Sequence, residues 1–237
     1  MVFLELYLDR LKQTMPSNPK DTIVIFQSLN NVQIMLPELG FVNALRAYLD
    51  MHGIKYVIDQ RSNVEFMSPD GELPIIKHGP KIISGYKSCI EFINMIHNIE
   101  SRAKQAAVNE ILIQKVFQQA ELYYTWLNKE IYENFTKQNY SYGRPWPLNH
   151  ILCWMKQRDV ASRLEDIDNM QNNFSEILTE IVRNIKAGIS SDDLLCLIYG
   201  HIKAILSYEK PYEPLYFMVK EHQTLIEFVE KFDKTPH

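Results

Sequence analysis

The sequence predicts an α+β fold, with a small mixed α/β domain over residues 21–100 and an all-helical domain over residues 101–237. The first part alternates short β-branched runs with a helical stripe, whereas the second part carries helical patterns and no convincing strand. In the second part an apolar stripe runs from Ile113 to Ile131 over five helical turns, which is typical of a core helix. Residues 1–20 form a separate N-terminal amphipathic helix and linker.

The start of the chain favours a helix over residues 2–13. Phe3 and Tyr7 stand four residues apart, and a second apolar row ends at Leu11. Two interpretations remain open. The helix packs back on its own domain, or Phe3, Tyr7 and Leu11 contact a partner or a membrane surface. The segment lacks the Lys- and Arg-rich face that membrane-surface helices usually carry.

A strand-helix-strand unit follows. Residues 22–27 form a continuous apolar strand of the type that is buried on both faces. A helical stripe runs from Leu39 to Leu49, with Pro37 as a first helical residue and Gly53 as the C-cap. Residues 56–58 form the second strand. We expect this βαβ unit to be right-handed.

The unit that begins at Pro74 completes the first domain. Two β-branched runs, Ile75-Ile76 and residues 81–83, flank His78-Gly79-Pro80, which predicts a tight hairpin because Gly supplies the positive φ that such a turn needs. Pro74 opens the first run, where a missing N–H is tolerated in a sheet. A helix follows. The order βαβ-ββα is that of a thioredoxin-like domain.

Two further helices are predicted near the C-terminus. The helix over residues 194–206 is nearly all apolar and should lie centrally in the second domain. Its start is assigned to a capping-box-like pair, Ser190 with Asp193, or to Asp192 as an alternative cap. A last helix is predicted over residues 214–232.

An aromatic segment between helices, residues 140–154, meets no obvious structural requirement. Trp146 lies between two prolines, which favour an extended backbone. Either Trp146 plugs the core, or the segment is a docking surface, because Trp, Tyr and Arg anchor many protein interfaces. The second interpretation gives these candidate partner contacts: Arg144, Trp146, Pro147 and His150. His150 and Cys153 stand three residues apart, but no third orienting group is evident, so catalysis is not predicted there.

Composition excludes several classes of protein. A net charge of −4 provides no broad cationic field, so nucleic acid is not an expected partner. The three cysteines, Cys89, Cys153 and Cys196, are far apart in apolar surroundings, which indicates a reducing compartment and no disulfide or CxxC metal site. No apolar run approaches the roughly 18 residues of a spanning helix. The N-terminus resembles neither a secretory signal nor a mitochondrial presequence, so we expect a protein of the cytosol or of a membrane's cytosolic face.

Leu73-Pro74 followed by a hairpin and a helix resembles the second half of a thioredoxin-like domain of the glutathione transferase family. The resemblance implies that Pro74 is cis and borders a glutathione site. In that family an acid followed by Ser binds the γ-glutamyl end just after the hairpin, whereas here Gly85 and Tyr86 stand at those positions. The activating Tyr, Ser or Cys follows the first strand, where Ser28 is the single candidate. We expect a retained scaffold and a lost site, with no catalytic residue, cofactor or metal. An active transferase with a rearranged site, using Ser28 or Tyr86, is the alternative.

A narrower resemblance covers nearly the whole chain. Separated blocks in the same order are similar to the metaxin family: residues 63–71, 120–126, 146–152 and 199–201. Metaxins are transferase-like proteins of the outer mitochondrial membrane without an established transferase activity, and they act in the sorting and assembly machinery that inserts β-barrel proteins.

The metaxin resemblance implies a non-enzymatic subunit at the cytosolic face of the outer mitochondrial membrane, partly in the cytosol. Its expected partners are a membrane-anchored metaxin-1-like protein, with which it forms a heterodimer, and the subunits that assemble outer-membrane β-barrels. No C-terminal anchor is found, so membrane association is expected to be peripheral and through the partner. An adaptor role that links mitochondria to transport or motor machinery is the alternative, although no motor-binding motif supports it.

Overall fold

The computed structural model describes residues 22–30, 32–62, 64–100, 107–165, 167–188 and 191–234. The predicted helix over residues 2–13, with Phe3, Tyr7 and Leu11, lies outside the described residues. So does the predicted domain boundary between residues 100 and 101, which adjoins the undescribed residues 101–106.

The predicted mixed domain is built on one four-stranded sheet. Its strands are β1 (Ile23–Gln27), β2 (Tyr56–Gln60), β3 (Ile75–His78) and β4 (Lys81–Ser84). They lie in the order β2-β1-β3-β4, with β1 parallel to β2 and antiparallel to β3. Gly79 has a φ of 57° in the turn between β3 and β4, as a tight hairpin requires. Strand β1 is fully buried because its alternate side chains enter two separate apolar clusters on the two sides of the sheet.

Helices pack against the sheet and account for most of the other described residues. The first domain contributes α1 (Leu36–Met51) and α2 (Tyr86–His97). The second contributes α3 (Ala107–Leu122), α4 (Leu148–Arg163), α5 (Met170–Ala187), α6 (Asp192–Ser207), α7 (Glu213–Lys220) and α8 (Gln223–Lys234). Short 3₁₀ turns lie at Val64–Met67 and Ile167–Asn169. The α+β architecture with a helical second domain is therefore confirmed.

Helices α1 and α6 cross at glycines, and this contact joins the two domains. A Cβ placed on Gly200 would lie 2.3 Å from the backbone N of Ala44 and 2.5 Å from the carbonyl oxygen of Gly40. A Cβ placed on Gly40 would lie 2.4 Å from Nδ1 of His201. The two backbones approach so closely only because neither glycine has a side chain.

A buried polar pair lies beside this crossing. Nδ1 of His201 lies 2.8 Å from a carboxylate oxygen of Glu121, and both side chains are fully buried. Phe117 stacks on the His201 ring and Phe41 meets it edge-on. Burial raises the pKa of Glu121, although the neighbouring His201 opposes that shift. The pair ties α3 to α6 inside the apolar core.

The prediction of one continuous helix over Ile113–Ile131 is wrong. Its apolar positions are mostly buried, but α3 ends at Leu122 and passes into a π-helical turn, Tyr123–Leu127. Asn128 then leaves the helix with a ψ of 111°, and its side chain accepts a hydrogen bond from the N–H of Ile131 to begin the next turn. Asn128 thus acts as an N-cap within a stretch whose apolar periodicity alone predicts one continuous helix.

The short helices Lys129–Ile131 and Lys137–Tyr140 flank a second π-helical turn, Tyr132–Thr136. The hydroxyl of the buried Thr136 donates to the carbonyl of Thr125, 2.6 Å away. This side chain supplies a donor to a carbonyl inside the first π-helical turn, where the regular α-helical hydrogen-bond pattern is interrupted.

Two further helix predictions are corrected near the C-terminus. Helix α6 begins at Asp192 with Ser191 as its N-cap residue, so Asp192 is helical rather than a cap, and Ser190 lies outside the described residues. The single helix predicted over residues 214–232 is instead α7 and α8, separated at Glu221 and His222. The break allows the apolar faces of both short helices to contact α6.

Replacing Gly200 by Ala tests the glycine crossing. An unhindered Gly-to-Ala change inside a helix stabilises by about 1 kcal/mol. Here the added methyl would overlap backbone atoms of α1, so we expect the free energy of unfolding to fall by more than about 2 kcal/mol in urea titrations. Ser175→Ala, an exposed substitution on α5, is the control and should change it little. A stabilised Gly200→Ala variant would contradict the close crossing.

Candidate functional site

A cavity of about 90 Å³ lies between the two domains, where β1 ends and α1 begins. Of the positions that the transferase resemblance concerns, Ser28 lines it, and so does Leu73, the neighbour of Pro74. Side chains of both domains line it, including Ser28, Glu38, Glu65, Trp126, Tyr140 and Lys156.

The loop before β3 is closed by its own hydrogen bonds. The Leu73–Pro74 peptide bond is cis, and the carbonyl of Pro74 accepts a hydrogen bond from the N–H of Gly85 at 3.0 Å. The carboxylate of Asp70 accepts from the hydroxyls of Ser68 and Ser84, each at 2.8 Å, and from the N–H of Glu72. Burial raises the pKa of Asp70, but these hydrogen bonds outweigh burial and lower it overall. The loop is therefore held by an ionised carboxylate at neutral pH.

The two positions that would bind the γ-glutamyl end of glutathione are occupied by the chain itself. Gly85 has a φ of 82°, and a Cβ there would lie 2.4 Å from a carboxylate oxygen of Glu72. Tyr86 is almost completely buried, and its hydroxyl donates to the carbonyl of Asp193 at 2.9 Å. Neither position offers a free polar group to a ligand in the cavity, since Gly85 has no side chain and the Tyr86 hydroxyl contacts α6.

Ser28 lies at the cavity but contacts a buried acid. Its N–H donates to a carboxylate oxygen of Glu38 at 2.6 Å, and its hydroxyl also hydrogen-bonds to Glu38. Burial raises the pKa of Glu38 to about 7, and the two hydrogen bonds from Ser28 only partly oppose that shift. Ser28 thus serves as a hydrogen-bonding partner of the Glu38 carboxyl group.

The other wall of the cavity is an ion-pair network around Glu65. Its carboxylate accepts a short hydrogen bond from the hydroxyl of Tyr140 and lies 3.1 Å from the ammonium of Lys156. Arg144 lies 3.8 Å from the same carboxylate, and its guanidinium stacks on the Tyr140 ring at 3.9 Å from the ring centre. Glu65 belongs to the first domain and the other three residues to the second, so the network joins the domains.

Arg144 is mostly buried and paired within the chain, which does not favour its predicted role as a partner contact. Its side chain is 9% exposed, and it donates to the carbonyl of Tyr140 at 2.6 Å in addition to its ion pair. An Arg whose guanidinium is stacked and paired inside the chain has few donors left for another molecule.

The other predicted contacts of this segment are exposed. Trp146 is 77% exposed, which excludes the interpretation that it plugs the core. Pro147 and His150 are also exposed, at the start of α4. Cys153 is buried with its sulfur 3.4 Å from the hydroxyl of Ser141, so it does not form a thiolate pair with the exposed His150.

Sequence reasoning missed Glu38, Glu65 and Lys156. An acid in the first turn of a helix, such as Glu38, is ordinary helix chemistry and carries no sign of burial. Glu65 and Lys156 lie far apart in the chain, and only the packing of the two domains brings them to 3.1 Å. In the described ranges, no group of three or more His, Cys, Asp or Glu side chains could hold a metal ion.

Comparison with known sequences finds similarity to proteins of the outer mitochondrial membrane. A family described as "Outer mitochondrial membrane transport complex protein" matches residues 43–157. Metaxin-2 of Homo sapiens is 24% identical and the match covers 90% of this chain and 88% of the human protein. The metaxin-2 homolog of Caenorhabditis elegans is also 24% identical, over 87% of this chain and 97% of its own. The resemblance to the metaxins is confirmed.

Comparison with solved structures agrees on the fold. Glutathione transferase GSTFuA3 from Phanerochaete chrysosporium superposes with a TM-score of 0.58 at 11% identity, over 90% of this chain and 96% of that one. A glutathione S-transferase of Ceriporiopsis subvermispora in complex with glutathione gives 0.56 at 14% identity, over 90% and 97%. The fold is glutathione-transferase-like, as predicted. None of the described helices is both long and apolar enough to cross a membrane.

Replacing Glu38 by Gln tests the buried acid. The pKa of Glu38 rises from 4.5 to about 7 on folding, so its protonated form stabilises the fold below about pH 4.5, and that contribution is lost as the pH rises through 7. The wild-type chain should therefore lose up to about 3 kcal/mol more unfolding free energy than Glu38→Gln between about pH 5 and pH 8. Urea titrations at both pH values measure the difference. Glu91→Gln, an exposed control, should follow the wild type, and parallel profiles for all three proteins would contradict a buried acid.

Replacing Arg144 by Lys tests the network around Glu65. Lys keeps the charge but loses the planar stacking on Tyr140 and the forked donors, so we expect about 1–2 kcal/mol of lost stability. Arg158→Lys is the matched control because Arg158 is an exposed arginine on the neighbouring helix α4. Equal thermal stability of the two variants would show that the contacts of Arg144 contribute nothing to folding.

Proposed function

We propose that this metaxin-like chain is a non-enzymatic subunit of the protein-import machinery of the outer mitochondrial membrane. One observation carries the proposal. The acidic and basic side chains that line the cavity in which a transferase of this fold would bind glutathione all have partners within the chain: Glu38, Glu65, Arg144 and Lys156.

None of the positions that the resemblance assigns to glutathione recognition offers a free side-chain group. The positions expected for the γ-glutamyl contacts hold Gly85, which has no side chain, and Tyr86, whose hydroxyl donates to Asp193. The candidate activating hydroxyl, Ser28, contacts the carboxyl group of Glu38. A thiolate placed next to Glu38 would meet a buried carboxyl group that becomes negative near neutral pH, which disfavours the thiolate form that conjugation needs.

The family match and the metaxin relatives support a role at the outer mitochondrial membrane that is related to transport of proteins. The more detailed role follows from the metaxin resemblance. The chain pairs with a membrane-anchored metaxin-1-like protein, associates peripherally with the cytosolic face, and contributes to the insertion of β-barrel proteins. The adaptor role toward transport or motor machinery has no residue of the described chain to support it.

The proposal is tested by two measurements on the purified full-length chain. We expect no retention on immobilised glutathione and no conjugation of an electrophile above the buffer rate, with an active transferase of the same fold as the positive control. We also expect the chain to co-purify with a membrane-anchored metaxin-1-like protein when both are produced together.

Two outcomes would overturn the proposal. Glutathione conjugation that is lost in Ser28→Ala would establish a rearranged transferase site. A chain that remains monomeric in the presence of the anchored relative would remove the subunit role.

A further inference from the structure

The exposed apolar side chains concentrate on one part of the molecule. Among the described residues, half of the large apolar side chains that are exposed lie within residues 142–155. Five of them lie on the first turns of α4 and at the residue before its N-cap, and we call them the aromatic face: Trp146, Leu148, Ile151, Trp154 and Met155. The helical members follow the spacing i, i+3, i+6 and i+7, which places them on one side of α4.

The aromatic face is held in place by the packing behind it. The opposite side of α4 buries Cys153 and Val160 in a cluster with Trp126 and Tyr140. Gln157 of the same helix donates to the carbonyl of Trp126 at 3.0 Å. Trp154 is therefore exposed on a packed helix, and Trp146 lies directly before the start of that helix.

The charges around the aromatic face are unusual for this acidic chain. Residues 134–158 contain no Asp and no Glu, although the whole sequence has a net charge of −4. Arg158 is exposed at the edge of the face, with its guanidinium 5.5 Å from the ring centre of Trp154. The nearest acid along the helix, Asp159, pairs with Arg163 at 2.9 Å. When a membrane or another molecule covers the aromatic face, no carboxylate of residues 134–158 is removed from water. The covering surface would also contact the positive charge of Arg158 at the edge of the face.

We propose that the aromatic face binds directly to the lipid headgroup region of an anionic membrane leaflet. Trp side chains favour this region because the ring is apolar while the indole N–H keeps a polar partner. Leu, Ile and Met add apolar area that a bilayer surface can bury, and Arg158 complements the negative potential of anionic lipids. The identity of the membrane rests on the proposed function, which supplies the outer mitochondrial membrane as the nearest surface. Direct contact adds a second attachment to the one through the anchored partner.

Vesicle binding tests the proposal with the full-length chain. The probes are sedimented vesicles of phosphatidylcholine alone and of phosphatidylcholine mixed with phosphatidylinositol. We expect binding to the mixed vesicles, and quenching of Trp fluorescence when the phosphatidylcholine carries brominated acyl chains. The chain has three tryptophans, and Trp126 is only 3% exposed, so quenching reports on Trp146 and Trp154.

Substitutions test whether the aromatic face is the part of the chain that binds the vesicles. Trp146→Ala combined with Trp154→Ala should weaken partitioning to the mixed vesicles about tenfold, because two exposed rings no longer bury apolar surface. Arg158→Glu should weaken binding to the mixed vesicles and leave binding to phosphatidylcholine alone unchanged. Phe217→Ala is the matched control, since Phe217 is similarly exposed on α7, away from α4. Thermal unfolding of each variant shows that the fold is intact.

The outcomes separate this proposal from the proposed function. Absence of vesicle binding by the wild-type chain, or binding that the double Trp variant retains in full, would overturn direct lipid contact. A third outcome is that the wild-type chain does not bind vesicles and the double Trp variant no longer co-purifies with the anchored partner. The aromatic face is then a protein interface, and the proposal of lipid contact is again overturned. In either case a chain that still pairs with the anchored partner keeps its role as a subunit.

Discussion

The close crossing of α1 and α6 is the contact on which the rest of the structure depends. Gly40 and Gly200 allow the two backbones to meet without intervening side chains, and this sets the distance between the domains. The interdomain cavity has walls from the end of β1 and the start of α1 on one side and from the helical domain on the other. Beside the crossing, the Glu121–His201 pair sits in an apolar surrounding and connects α3 to α6.

The close approach of the domains also brings charged side chains of both together at the cavity. Glu65 of the first domain is joined to Tyr140, Arg144 and Lys156 of the second, so its carboxylate and their donors already satisfy one another. On the opposite wall Ser28 is bound to the buried Glu38. The network around Glu65 therefore connects the two domains, whereas the Ser28–Glu38 contact lies within the first.

Much of the first domain could be predicted because its signals are local. The apolar run of β1, the Gly79 turn and the Gly53 helix end follow from short-range backbone chemistry that neighbouring residues cannot change much. The errors lie where two local signals compete. The stripe from Ile113 to Ile131 has the correct period, but Asn128 and the π-helical turns interrupt it. The two C-terminal helices read as one because the apolar positions continue through the break between α7 and α8.

The sequence by itself determined the α+β fold class, the strand order along the chain, the burial of the cysteines and the resemblance to the metaxins. Only the tertiary structure decided the state of the site residues. Whether Arg144 faces outward, whether Trp146 fills the core, and whether Ser28 has a free hydroxyl all depend on residues tens of positions away in the chain. Burial and charge pairing of that kind are properties of the packed chain, since the desolvation that raises the pKa of Glu38 arises only on folding.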